Sequence, residues 1–118
     1  MANEKVKPLV LTDHDTDTKY ILEFSRESVK FAEQRGFDIN DVSKYPMTKI
    51  AEFFFYAFRM HHKNVPRDRT DHILFVDMGG VPDGMIERLV QLYSVPFEVL
   101  SEVSEGGEPK NAKVTVEF

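Results

Sequence analysis

The sequence predicts an α+β fold: a small antiparallel sheet packed on about four helices. Three observations lead there. Apolar residues alternate with a period of two near the start of the chain and again at its end. Between these stretches the apolar spacing becomes helical and is punctuated by Gly, Pro and capping residues. The strands are gathered at the two ends instead of alternating with helices, so a parallel βαβ sheet is not expected.

Residues 1–5 read as a loose start. Val6 to Thr12 forms a short strand with Leu9 and Leu11 on one face and Val10 on the other. Pro8 lacks an amide donor, so the strand lies at an edge or begins after it. Asp13 to Asp17 is a polar turn. Thr18 to Phe24 places Tyr20, Leu22 and Phe24 on one face, completing a β-hairpin. Ser25 caps a helix whose first turn holds Glu27, and Gly36 stops it so that Phe37 packs back on Ala32. Residues 38–45 connect, with a helical turn at Asn40 to Lys44. The central helix starts at Pro46 or Thr48 and runs to about Lys63, where Asn64 and Pro66 end it. Asp68 or Thr70 caps a short helix that closes at Gly79-Gly80. Pro82 and Asp83 open another, whose stripe is Met85, Leu89, Leu92, Tyr93 and Phe97, with Pro96 kinking it or ending its first half. Ser104 to Asn111 reads as a loop. Lys113 to Phe118 alternates Val114, Val116 and Phe118 and is expected to pair with the hairpin, its apolar side beside Leu11 or Leu22.

The chain has 118 residues and no cysteine, so it is expected to be a single domain, 1–118. Disulfide scaffolds, thiol catalysis and thiolate zinc sites are excluded. With 15 Lys plus Arg against 20 Asp plus Glu, the net charge is -5, a poor match to a general nucleic-acid coat. No signal peptide is expected, and the longest apolar run, Phe53 to Phe58, is far shorter than the roughly 20 residues that span a bilayer.

Motifs that would carry chemistry are missing or weak. There is no phosphate-binding loop, and Gly79-Gly80 followed by Gly84 has neither the spacing nor, at Pro82, the amide of a dinucleotide fingerprint. Asp13, Asp15 and Asp17 resemble the start of a calcium loop, but Thr18 and Phe24 stand where Gly and Glu are needed. His61 and His62 are adjacent, so on a helix they diverge by about 100° instead of converging on one ion. Ser25, Ser28 and Thr70 are explained by capping, and Asp38 and Asp41 lie in a polar connector. The protein is expected to be no enzyme, to use no cofactor, to bind no stoichiometric metal and to hydrolyse no nucleotide.

Two charged stretches stand out. Arg59, Lys63, Arg67 and Arg69, less Asp68, give +3 within eleven residues. Glu98, Glu102, Glu105 and Glu108 give -4 with no Lys or Arg between them. They read as two solvated faces, or as complementary patches that dock copies head to tail. The central helix carries a further signal. At about 100° per residue, Met47, Ile50, Ala51, Phe54, Ala57 and Phe58 share a broad apolar face. Phe55 and Tyr56 fall outside it, with Tyr56 between Lys49 and Lys63. Either this helix is buried all round, or Phe55 and Tyr56, flanked by Lys49, Arg59 and Lys63, form a patch that faces a partner.

Several strings resemble a family of small proteins from phages and prophages of Gram-positive bacteria. They are Lys7-Pro-Leu-Val-Leu-Thr-Asp13, Lys30-Phe-Ala-Glu-Gln-Arg-Gly-Phe37, the run from Phe53 through His61-His62 to Val65, Ile73-Leu-Phe-Val-Asp-Met-Gly-Gly80 and Glu87-Arg-Leu-Val-Gln-Leu-Tyr93. The family sits among tail-morphogenesis proteins and is similar in size and role to the tail assembly chaperones of long-tailed phages. The resemblance implies a non-enzymatic factor in the host bacterial cytoplasm that coats the tape-measure protein, recruits tail-tube subunits and self-associates, without nucleic-acid or membrane partners. The alternative is a structural tail component, a tube-completion or head-tail joining protein. A third reading, a small DNA-associated phage protein, would use the 59–69 basic stretch and bind DNA with steep salt dependence.

Overall fold

The computed structural model describes residues 6–106 together with Val114 and Glu117. The fold is α+β, a two-stranded antiparallel sheet with five α-helices. The hairpin forms where the alternation places it. Strand β1 (Leu9–Asp13) begins after Pro8 and pairs with β2 (Thr18–Leu22) in the register Leu9 to Leu22 and Leu11 to Tyr20. Asp13 Oδ1 accepts the Asp15 amide at 3.0 Å inside the turn, and Asp17 takes the left-handed conformation there, with φ of 59°.

Helix α1 (Arg26–Gln34) opens on a reciprocal cap. Ser28 N–H donates to Ser25 Oγ at 3.1 Å, and Ser25 N–H donates to Ser28 Oγ at 2.8 Å. Gly36, with φ of 89°, reverses the chain so that Phe37 N–H reaches Ala32 O at 3.0 Å. A single turn, α2 (Asp41–Lys44), occupies the connector, and α3 (Pro46–Ala57) follows.

Helix α3 is the centre of the core. Phe53, Phe54, Ala57 and Phe58 are essentially inaccessible. Phe24 and Phe37 stack on Phe53 from either element that flanks it, and Tyr93 meets all three rings at 5.1–5.9 Å between centroids. The helix is shorter than its apolar spacing suggests, ending at Ala57 and not near Lys63. Its end is decided by the sheet. Ala57 O accepts the Glu23 amide at 3.2 Å, Ile21 N–H donates to His62 Nε2 at 2.9 Å, and His61 Nε2 lies 2.7 Å from Glu23 Oε1. The outer edge of β2 is thus met by the turn after α3.

The sequence reading also expects Lys113 to Phe118 to pair with the hairpin as a third strand. Among the described residues the sheet has two strands, and Val114 is 87% exposed instead of lying on the buried face. A side chain with that much exposure gains almost nothing from burial. Val116 and Phe118, the other apolar positions of the expected strand, lie outside the described residues.

Helix α4 (Arg67–His72) starts directly after Pro66, ahead of either expected cap, and passes into a π-helical turn over Ile73–Asp77. Met78 N–H closes that turn on Ile73 O at 2.8 Å, and Gly79 and Gly80 end it with positive φ. Ile73 and Leu74 reach the core while Phe75 and Val76 remain exposed. Helix α5 (Met85–Gly106) begins after Gly84 and continues through Pro96 into the first residues of the expected loop, Ser104 to Gly106; the rest of that loop lies outside the described residues. Proline removes one backbone donor, at a cost of about 3 kcal/mol in a helix interior. Tyr93 and Phe97, one turn apart at 5.5 Å, continue the apolar stripe across the gap.

Candidate protein-interaction surfaces

The structure separates the residues proposed from the helical wheel. Tyr56 is 4% exposed, its ring against Phe37 at 5.3 Å and Phe31 at 6.0 Å. It is a core residue, not half of an exposed aromatic pair. The physical reason is the early end of α3. The wheel set Tyr56 between Lys49 and Lys63, but Lys63 lies beyond the helix, and α1 packs on the side the wheel left polar. Burial first, and then the neighbouring Glu52 carboxylate, raise the Tyr56 phenol above its ordinary value of 10.0. Its hydroxyl donates to Glu52 Oε2 at 3.3 Å, while Glu52 Oε1 accepts from Lys49 Nζ at 3.0 Å. Lys49 is therefore held within its own helix. Phe55 is half-buried against the core, 5.3 Å from the Tyr56 ring.

Arg59 and Lys63 come together elsewhere. The Arg59 guanidinium lies 3.9 Å from the centre of the Phe31 ring, and that of Arg35 lies 4.3 Å from it. Lys63, Arg59 and Met60 share with Lys30 and Phe31 a cleft of about 600 Å³ that Ser25, Glu27, Ser28 and Gln34 also line. The sequence reading missed Lys30, Phe31 and Arg35. A usable signal was present, since Phe31 and Arg35 stand one helical turn apart and so share a face of α1.

A second groove, of about 720 Å³, lies between the end of α1 and α5. Phe37, Ile39, Val90, Tyr93 and Phe97 give it an apolar lining, and Glu33 and Asp38 stand at its margin. Val90 and Phe97 are exposed at 39% and 37%. Burial, reinforced by Glu33 and Asp38, pushes the Tyr93 phenol up to about 12, so it stays neutral.

The polar motifs have structural employment. His61 and His62 hold the β2 edge, and burial, with His61 as the second cause, lowers His62 below its ordinary value of 6.5. Its Nε2 accepts a hydrogen bond, which only the neutral ring can do. Asp13 takes part in the hairpin turn and lies 3.7 Å from Arg69. Among the described residues no three His, Cys, Asp or Glu side chains are grouped to hold a metal ion, and no helix is long and apolar enough to cross a membrane.

The family described as "Domain of unknown function (DUF5055)" matches over residues 1–118. The chain belongs to that family. No curated protein and no solved structure matches it. This DUF5055 chain carries two surfaces of opposite character: a cleft around Phe31 rich in Lys and Arg, and an apolar groove beside α5 that Glu33 and Asp38 also line.

Proposed function

We propose that this protein is a phage or prophage tail assembly chaperone, acting in the host cytoplasm on the tape-measure protein and on tail-tube subunits, and self-associating as it does so. The reading draws on the family resemblance of the strings from Lys7 to Tyr93. The observation that carries it is the apolar groove between α1 and α5. A groove lined by Phe37, Ile39, Val90, Tyr93 and Phe97 accepts the apolar stripe of an amphipathic helix, and Glu33 and Asp38 at its margin select basic residues flanking that stripe. A tape-measure protein, long and helical, offers such a stripe repeatedly. Core packing does not require Phe97 or Val90 to stay partly open, so a ligand that covers them gains apolar burial at about 25 cal/mol per Å².

The test is co-expression with the tape-measure protein followed by pull-down. The wild-type chain is expected to capture it, and a Val90→Glu, Phe97→Glu double variant to lose it while keeping its melting temperature within a few degrees. Capture that survives the double variant removes the groove from the reading. A chain found in purified finished tails instead of being released would be a structural tail component.

A further inference from the structure

We infer that the cationic cleft around Phe31 is a docking site for a second copy of this chain, and that the segment it receives is the acidic distal part of α5. The inference rests on the self-association in the reading above and is independent of the client.

The cleft is lined by three cationic side chains against one carboxylate, Glu27, and among the described residues its cationic charges are unspent. Among the described residues, Lys49 pairs with Glu52, Arg67 with Asp71, and Arg69 with Asp13 and Asp77. Lys30, Arg35, Arg59 and Lys63 form no ion pair among those residues. Instead Arg35 and Arg59 are both laid on the Phe31 ring, which fixes two guanidinium groups in place before any partner arrives. Such a surface repels itself and favours an acidic ligand.

The complement is on the same chain. After Arg88, α5 continues to Gly106 without Lys or Arg, and Glu98, Glu102 and Glu105 recur every three or four residues along it.

The helix does not bend back to reach its own cleft. It is continuous from Met85 to Gly106. Tyr93 lies beside Phe37, and Phe97 lines a pocket with Arg26, Val29 and Glu33 of α1. Among the described residues, none of α5 lines the cationic cleft. A cleft on one copy and a helix end on the next make a heterologous contact, which repeats head to tail and leaves an open series. An open series matches the geometry of a long client.

The test is sedimentation of the full chain across a concentration series at 50 mM and 500 mM NaCl. Wild type is expected to form a concentration-dependent series whose association weakens roughly tenfold or more at the higher salt. Reversing the cleft (Lys30→Glu with Lys63→Glu, which leaves Arg59 on Phe31) and reversing the helix (Glu98→Lys with Glu102→Lys) should each give monomers. Mixed together, the two variants should assemble again, because the intact cleft of one meets the intact helix of the other and the reversed cleft and reversed helix are likewise of opposite charge. Unchanged thermal melts establish that both variants fold. A wild type that stays monomeric at low salt overturns the inference, as does assembly that survives either reversal, or a mixture that forms no complex. Tape-measure capture by the monomeric variants reads the client separately: a chain that assembles by charge but captures no client defeats only the chaperone reading.

Discussion

Replacing Tyr56 with alanine tests whether α3 is central to the monomer or presents aromatics to a partner. The ring is 4% exposed and meets Phe37 and Phe31 with centroids 5.3 and 6.0 Å away. Deleting a large buried aromatic costs about 3–5 kcal/mol, the sum of lost transfer energy and an unfilled cavity. For a chain of 118 residues, an unfolding entropy of roughly 2.1 cal/mol/K per residue converts each kcal/mol into about 4 °C. Tyr56→Ala should therefore melt about 12–20 °C below wild type in a circular-dichroism scan. Tyr56→Phe isolates the hydroxyl. Its bond to Glu52 is long, at 3.3 Å, and Glu52 keeps its pairing with Lys49, so the loss should stay near or below about 1 kcal/mol. Phe55→Ser, at a half-buried position, should fall between the two. A Tyr56→Ala protein that melts within about 2 °C of wild type would refute the core assignment, since no buried aromatic is deleted so cheaply.

Other outcomes follow from the same geometry. His62 must be neutral to accept the Ile21 amide, and its folded value is depressed below 6.5. Its stabilising effect is thus complete above the unfolded value and is lost as pH falls through the folded one, so urea midpoints should drop from pH 7 to pH 5. His62→Gln, which keeps an acceptor that does not titrate, should flatten that slope, and an unchanged slope would remove His62 as its source. Ser25→Ala removes the acceptor of the Ser28 amide while leaving the Ser25 amide on Ser28 Oγ, and should cost about 0.5–2 kcal/mol by chemical denaturation. Val114→Ser, at an 87% exposed position, should change stability by no more than about 0.5 kcal/mol, and a larger loss would restore the expected C-terminal strand.

The sequence by itself determined the parts whose cause is local. The hairpin follows from alternation bounded by Pro8 and an Asp-rich turn, and α1 from Ser25 and Gly36 at its two ends, whereas the aromatics on every side of α3 allowed either a central place or a partner-facing patch. The candidate site was legible only as residue types: Arg59 and Lys63 do share a cationic surface, while Lys49 pairs within its own helix and Tyr56 is buried against Phe31 and Phe37. Tertiary structure alone decided where α3 stops, and with it the fate of Tyr56. Backbone donors at Ile21 and Glu23 must be satisfied, and the groups that satisfy them, His62 and the Ala57 carbonyl, are distant in sequence. A helical wheel has no knowledge of that competition. It extends the helix for as long as the spacing allows, whereas the chain ends it where the sheet edge needs an acceptor.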